Sequence, residues 1–132
     1  MSDARTSKRI AVAGNPNVGK TSLFNALTGL RRKVGNYPGI TVDLVEGELQ
    51  GAAKPIALID LPGTYSLTAR SEDEQQAFRA LTGKVGSLDG VLVVLDATNL
   101  ARNLYLLLQI LELGLPCVVA LNMVDLARDA GM

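Results

Sequence analysis

The sequence has no histidine, a single cysteine and no excess of either charge. Among its 132 residues, 13 basic and 13 acidic side chains cancel, so the formal net charge is zero. Without histidine the chain lacks the commonest general base and the commonest metal ligand. Balanced charge gives no overall positive field that would draw the chain to nucleic acid or to an anionic membrane. Cys117 cannot form an internal disulfide, and its apolar run CVVAL indicates a small core side chain in a reducing, cytosolic location.

Long apolar runs are also absent from the sequence. Asn103, Gln109 and Glu112 interrupt the most apolar stretch, which therefore falls short of the roughly 18 residues that a transmembrane helix needs. The first residues, MSDARTSKR, lack the apolar region of a secretory signal. With 48% hydrophobic and 20% charged residues, the composition is typical of a globular protein. We therefore expect one domain that is soluble by itself.

Apolar runs rich in β-branched residues indicate buried strands. They occupy residues 10–13, 56–59, 91–95 and 117–121. Continuous apolarity is typical of parallel strands that are covered on both faces. Residues 41–49, TVDLVEGEL, alternate between apolar and polar, which predicts an edge strand with one solvent-exposed face.

Helical patterns separate these runs, at residues 23–27, 72–81 and 100–113. In the last of them Leu104, Leu107, Leu108 and Leu111 recur at helical spacing. The order of strands and helices predicts a three-layer α/β domain. In such sheets ligands bind at the carboxyl ends of the strands.

A glycine-rich segment, GNPNVGKTS at residues 14–22, joins the first predicted strand to the first predicted helix. Its spacing matches GxxxxGK[ST], a phosphate-binding loop whose backbone N–H groups surround an anion at a helix N-terminus. Gly14 and Gly19 permit close backbone approach, and Lys20 can neutralise phosphate charge. The Thr21 hydroxyl can hold Mg²⁺. The alternative, a glycine-rich helix cap with an exposed lysine, is disfavoured by the strand and helix on either side.

Two further motifs follow predicted strands. Asp60 begins DLPG, where a carboxylate can hold a water on Mg²⁺ and Gly63 can bring its N–H to a terminal phosphate. A plain Pro-Gly turn is the alternative. Asp125 ends the run NMVD, where its carboxylate can accept the two N–H donors of a guanine edge. The alternative for Asp125 is the N-cap of a following helix.

Thr41 follows the loop GNYPGI, which glycine and proline keep from becoming helical. A threonine here could reach Mg²⁺ once a γ-phosphate orders the loop, and lose it on hydrolysis. Taken alone it is a residue that starts a strand.

In this order, GNPNVGKTSLFNALTG, VGNYPGITVD, DLPGTYSL, DATNLARNLYLLLQILELGLP and LNMVD resemble the N-terminal GTPase domain of the ferrous iron transport protein B (FeoB) family. The resemblance covers nearly the whole chain and implies a Ras-like P-loop NTPase with a mostly parallel sheet and one antiparallel edge strand. In the family a helical domain and a polytopic membrane region follow. We therefore expect residues 1–132 to be a fragment without the fifth guanine-site loop and the last strand and helix. The leucine-rich face of residues 100–113 is then partly uncovered.

The resemblance also implies a complete nucleotide site. The phosphates would be held by Gly14, Asn15, Pro16, Asn17, Val18, Gly19, Lys20, Thr21 and Ser22. Gly39, Ile40, Thr41, Val42 and Asp43 would form the first switch, and Asp60, Leu61, Pro62 and Gly63 the second. The guanine base would contact Asn122, Met123, Val124 and Asp125. Mg²⁺ would be held by Thr21, Thr41 and Asp60, and K⁺ by Asn17, whose alternative role is to stabilise the loop. The residues closest to the chemistry would be Lys20, Asn17, Thr41 and Gly63.

Two positions depart from related GTPases. Thr64 and Tyr65 follow Gly63, where Ras-like enzymes have a water-orienting glutamine, so we expect slow turnover with water held by switch backbone. Met123 replaces the usual lysine, and its side chain can still pack on the base.

The implied function is a Mg²⁺-dependent, K⁺-stimulated switch that hydrolyses GTP to GDP and phosphate. In the full-length protein it would serve Fe²⁺ uptake at the cytoplasmic face of the bacterial inner membrane. Its partners would be guanine nucleotide and the helical and transmembrane regions of the same protein; homo-oligomers are compatible with this, and nucleic acid is not expected. Iron is not expected to bind here, because no histidine or cysteine cluster is present.

Two rival functions stay open at this point. An RNA-associated ribosome-assembly GTPase is disfavoured by the zero net charge. A non-hydrolysing guanine-nucleotide-binding interaction module is made more plausible by the missing glutamine and by the expected truncation. The basic run of Arg31, Arg32 and Lys33 is interpreted as a solvated surface.

Overall fold

A six-stranded sheet with helices on both faces forms the part of the chain that the computed structural model describes, residues 8–68, 70–122, 128–129 and 131. The strands are β1 (Lys8–Gly14), β2 (Arg32–Gly35), β3 (Leu44–Glu48), β4 (Ile56–Asp60), β5 (Gly90–Asp96) and β6 (Cys117–Asn122). The helices are α1 (Lys20–Thr28), α2 (Glu72–Leu81) and α3 (Leu100–Glu112), with a 3₁₀ turn at Ala97–Asn99 before α3.

The sheet is mostly parallel, as predicted. Its order is β2-β3-β4-β1-β5-β6, and β4, β1, β5 and β6 run parallel to one another. Val12 lies opposite Asp60, Gly14 opposite Val94, and Asp96 opposite Asn122. The carboxyl ends of four strands therefore meet at one edge of the sheet, where α/β domains bind their ligands.

The antiparallel side of the sheet differs from the prediction. The strand expected at residues 41–49 is shorter, Leu44–Glu48, and it is not at the edge, because β2 pairs with its outer side. Thus two antiparallel strands are present where one was expected. β2 has the sequence RKVG, whose exposed side chains carry no apolar alternation, so its backbone pairing leaves no pattern in the sequence. The side chains of Arg31, Arg32 and Lys33 are exposed, as predicted.

Alternate residues of the central strands supply two separate cores. Ala11 and its neighbours on β4 and β5 pack under α2 and α3, together with Leu106 and Ile110. Val12 faces the other way and packs with Phe24 of α1. This alternation follows from the period of two in a strand. Cys117 packs against the first core, as predicted, and its partial burial raises the pKa of the thiol.

The helix α3 buries a different face from the one marked by its leucine repeat. Its buried residues are Asn103, Leu106 and Ile110, whereas Leu104 and Leu108 are exposed. Apolar residues surround most of this helix, so their spacing predicts the helix but not which side packs. The expectation of a partly uncovered leucine face is confirmed. Within the described residues, no helix combines the length and apolarity needed to cross a membrane.

Candidate functional site

The loop between β1 and α1 has a conformation that its glycine dictates. Gly19, immediately before the helix, has φ +82°, a left-handed conformation that costs other residues roughly 1–2 kcal/mol. A Cβ atom on Gly19 would also collide with the side-chain amide of Asn122. Asn17 has φ +67° and belongs to one of the few residue types that tolerate this region. Glycine at residue 19 therefore lets the chain turn into the helix without this strain or collision.

The N-terminus of α1 is free of its own negative groups. No side chain caps it, and its first turn contains no acidic residue. The unpaired N–H groups and the helix dipole therefore favour an external anion. This helix end opens into a cleft of about 420 Å³, a size typical of small-molecule sites. The cleft is lined by Asn15, Pro16, Asn17, Gly19, Lys20, Thr21, Ser22, Gly63 and Asp73.

A charge pair lies beside the cleft. Lys20 Nζ, at the start of α1, donates to Asp60 Oδ1 at the end of β4, and both side chains are largely buried. The pairing reduces the cost of removing two charges from water. The two residues that the sequence assigns to phosphate and to Mg²⁺ therefore lie together, each neutralising the other.

Backbone contacts join the segment 61–64 to the loop. Leu61 N–H donates to Val12 O at 3.0 Å, and Thr64 N–H donates to Gly14 O at 3.0 Å. A Cβ on Gly63 would lie 3.1 Å from Pro16 Cα, which is closer than a side chain would comfortably allow. The absence of a side chain on Gly63 thus lets the two segments touch backbone to backbone.

Asn15 is buried although its side chain makes no hydrogen bond. Neither Nδ2 nor Oδ1 has a partner within the described part of the chain. Leaving a buried polar group unpaired costs about 1–3 kcal/mol, so such groups usually have a structural or functional reason. Because Asn15 lines the cleft, this orphaned amide fits a site that a polar ligand completes.

Asn122 has a role that the sequence did not indicate. Its Nδ2 donates to Val18 O at 2.8 Å, so the end of β6 is tied to the phosphate loop. The sequence assigned this residue to the guanine base, together with Met123, Val124 and Asp125. Those three residues lie outside the described part of the chain.

The first switch, residues 39–43, is held by α2. Thr41 N–H donates to Gln76 Oε1 at 2.8 Å, and Thr41 Oγ1 donates to Glu72 Oε1 at 2.6 Å. Ile40 is buried in the core under α2 and α3. None of the predicted switch residues Gly39, Ile40, Thr41, Val42 and Asp43 is among those that line the cleft. In this structure Thr41 therefore faces α2 and not the phosphate loop.

Several residues of α2 were missed by sequence reasoning, among them Asp73 in the cleft wall and the two partners of Thr41. The spacing Ser71-x-x-Glu74 is the available signal, since it matches a capping box that marks a helix start. Ser71 Oγ accepts the Glu74 N–H at 3.1 Å. The Glu74 carboxylate accepts hydrogen bonds from Arg70 N–H, Ser66 and Thr68, and the first of these is the main reason its pKa is lowered.

The segment after Gly63 is anchored to α3. The Arg102 guanidinium lies 4.1 Å from the centroid of the Tyr65 ring, a cation–π contact. Leu67 N–H donates to Gln109 Oε1 at 2.6 Å. The expected second switch, residues 60–63, is thus followed directly by a segment that contacts α3.

A somewhat larger groove, of about 490 Å³, lies elsewhere. It is lined by Arg31, Arg32, Lys33, Glu46, Gly47, Glu48, Pro55 and Ala57. Pro55 immediately precedes β4 and Ala57 is its second residue, so this groove is at the opposite end of that strand from Asp60. Size alone therefore does not identify the site, and the position rule for α/β sheets favours the cleft at α1. Among the described residues, no cluster of three or more His, Cys, Asp or Glu side chains could hold a metal ion.

The family model described as "Ferrous iron transport protein B" matches residues 8–132. The chain belongs to this family. The curated proteins named "Fe(2+) transporter FeoB" from Shigella flexneri and Escherichia coli K12 are 53% identical over 123 residues, which is 90% of this chain. The chain spans only 16% of the length of these FeoB relatives.

Solved FeoB structures share the fold. The cytosolic domain of L. pneumophila FeoB is 48% identical, with a TM-score of 0.85, covering 94% of this chain and 49% of that one. The G domain of T. maritima FeoB is 47% identical, with a TM-score of 0.83, covering 93% of this chain and 76% of that one. A variant of S. thermophilus NFeoB bound to GDP is 44% identical, with a TM-score of 0.85, covering 95% and 48%. The six-stranded domain is therefore a FeoB-type G-domain fold.

Proposed function

We propose that this chain binds GTP and hydrolyses it to GDP and phosphate, as the switch domain of a bacterial ferrous iron transporter. The observation that carries the proposal is the uncapped N-terminus of α1, which Gly19 opens onto a cleft flanked by Lys20 and Asp60. A FeoB relative with the same fold binds GDP.

Phosphate binding follows from the backbone. The N–H groups of the loop and of the first turn of α1 would donate to the phosphate oxygens, and the helix dipole would add to this attraction. The Lys20 ammonium would leave its ion pair with Asp60 and pair with the β- and γ-phosphates instead. Gly63 would present its N–H to the terminal phosphate from the other side of the cleft.

Mg²⁺ would be held by oxygen donors of Thr21, Asp60 and, after its release from α2, Thr41. Hydroxyl and carboxylate oxygens are the donors that this cation prefers, and the exchange would leave Asp60 paired with a positive charge. The Asn17 side chain, which lines the cleft, would help to hold K⁺. These cations would neutralise charge that develops on the phosphates during hydrolysis.

Water would be positioned by switch backbone. The Thr64 side chain is buried, and the Tyr65 ring packs on Arg102, so neither occupies the role of the missing glutamine. We therefore expect slow turnover. Base selection is assigned to Asp125 on its sequence motif, and Asn122 would hold the phosphate loop through its bond to Val18 O.

In the full-length protein, the domain would report its nucleotide state to the helical and transmembrane regions of the same chain. Its place would be the cytoplasmic face of the inner membrane. The RNA-associated alternative is less well supported, because curated relatives that are 53% identical over 90% of this chain are named iron transporters.

Phosphate release tests the proposal. The chain is incubated with GTP and Mg²⁺ in K⁺ buffer and in Na⁺ buffer, with Asn17→Ala as the variant. We expect slow release that K⁺ accelerates, and no acceleration in Asn17→Ala. Saturable GTP binding without phosphate release would instead favour the non-hydrolysing module, and release equal in both buffers would remove the role of Asn17.

A further inference from the structure

Two side chains of α2 close around the backbone and the hydroxyl of Thr41. Gln76 Oε1 accepts the Thr41 N–H at 2.8 Å, and Glu72 Oε1 accepts the Thr41 hydroxyl at 2.6 Å. The Gln76 amide also donates to Glu72 Oε1 at 3.1 Å, so the two helix residues brace each other. The three bonds form one connected network, which we call the α2 clip.

Burial makes the central member of the clip costly to disturb. Gln76 is completely buried, whereas Glu72 and Thr41 are exposed. The Gln76 amide oxygen and nitrogen both have partners within the clip, and release of Thr41 would leave the buried amide oxygen without its donor. The neighbouring Ile40 is inserted in the core beneath α2, and its N–H donates to Tyr37 O at 3.0 Å. A resting position of the switch is thereby defined by both apolar and polar contacts.

The clip and the cleft compete for the same hydroxyl. While Thr41 Oγ1 donates to Glu72, it faces α2, and no residue from 39 to 43 is among those that line the cleft. A diphosphate needs only the loop and the start of α1, whereas a triphosphate would gain from Thr41. A ligand shifts a two-state equilibrium only by its different affinity for the two states.

We propose that Gln76 and Glu72 are positioning residues that hold the first switch in a resting conformation and so set the preference of the site between GDP and GTP. The inference rests on the proposed function, because it assumes that this cleft binds guanine nucleotide. GDP binds the clipped and the unclipped forms equally well. GTP binds the unclipped form better, and its apparent affinity is reduced by the fraction of molecules that remain clipped.

The test compares the affinities of fluorescent GDP and of a fluorescent, non-hydrolysable GTP analogue in Mg²⁺ buffer. Glu72→Ala removes the acceptor of the Thr41 hydroxyl from an exposed site, and Gln76→Leu removes the buried acceptor. Glu72→Gln is the matched control, since it keeps an amide oxygen at the same position. Thermal unfolding of each variant is recorded to verify the fold.

We expect Glu72→Ala and Gln76→Leu to strengthen binding of the GTP analogue by about 3- to 10-fold, the effect of one hydrogen bond, while GDP binding stays within twofold. Glu72→Gln should resemble the wild type. A merely structural role would weaken both ligands together. If Glu72→Ala binds GDP normally and its ratio of affinities is unchanged or shifts toward GDP, the clip has no such role. If the folded wild type binds neither nucleotide, the proposed function is wrong, and the proposed role of the clip is then wrong as well.

Discussion

The phosphate loop and the first switch reach the same edge of the sheet but are held in different ways. β3 begins beside Asp60, because Val45 pairs with it, so both segments start near the end of β4. The phosphate loop is fixed by the left-handed Gly19, by backbone bonds and by the Asn122 amide. The switch is held mainly by two α2 side chains, the exposed carboxylate of Glu72 and the buried amide of Gln76. The phosphate loop, which we call the cradle, is therefore fixed by its backbone. The first switch is held by side-chain contacts that it can exchange for others.

The largest effect should come from Lys20→Ala, which tests the chemistry of the cradle. Removing the ammonium takes away a positive charge that is preorganised for the phosphates, so we expect GTP hydrolysis to fall by about 100-fold or more. Phosphate release measures it. Lys33→Ala, an exposed lysine on β2, is the control and should retain the wild-type rate. A Lys20→Ala rate within twofold of the wild type would contradict the assignment.

Gly19→Ala tests whether backbone geometry fixes the cradle. We expect a loss of about 2–4 kcal/mol in the free energy of unfolding, because a left-handed alanine is strained and its Cβ would meet Asn122. Gly114→Ala is the matched control, since Gly114 also has φ +82° but has nothing within 4 Å of an added Cβ. It should cost only about 1 kcal/mol. Urea denaturation measures both.

The double variant Gly19→Ala with Asn122→Ala separates strain from collision. In a protein that already carries Asn122→Ala, the Gly19→Ala change should lower the free energy of unfolding only as much as Gly114→Ala does, because the added Cβ no longer meets the amide. Equal losses in Gly19→Ala and Gly114→Ala would show that the contact with Asn122 does not constrain the loop.

Asn122→Ala alone tests the tie between β6 and the phosphate loop. Loss of the 2.8 Å bond to Val18 O should weaken GDP binding by up to about tenfold, the effect of one hydrogen bond. Titration with fluorescent GDP measures the change. Asn25→Ala removes another amide contact, the 2.8 Å bond from Arg32, at a site away from the cleft, and should leave GDP binding unchanged. A similar change in both variants would argue against a specific role of Asn122.

The smallest effect concerns the start of α2, which positions the switch. Hydrogen bonds, first of all from Arg70 N–H, lower the folded-state pKa of Glu74 below its value in the unfolded chain. Their contribution to stability is therefore complete above the unfolded pKa of about 4.3 and is lost as pH falls through the folded pKa. In Glu74→Gln this part of the pH dependence should vanish, as measured by thermal unfolding between about pH 6 and pH 3. Glu112→Gln, at the exposed end of α3, is the control. An identical acid profile in wild type and Glu74→Gln would contradict the role of the carboxylate.

The two regions also differ in how far the sequence predicts them. Gly14, Gly19 and Lys20 are neighbours in the chain, so the phosphate loop follows from local spacing between a strand and a helix. The contacts of Thr41 with Glu72 and Gln76 join residues 31 and 35 positions apart, and no periodic pattern marks them. For the same reason β2 was missed, since its pairing with β3 depends on backbone bonds and not on its side chains.

Isothermal titration calorimetry of the folded chain with GDP and with ADP, in Mg²⁺ buffer, tests the central claim most directly. We predict saturable binding of GDP at one site, with ADP weaker by about 100-fold or more, because a carboxylate that pairs with guanine is left unpaired by adenine. Equal heats for the two nucleotides, or no saturable heat with GDP, would contradict it.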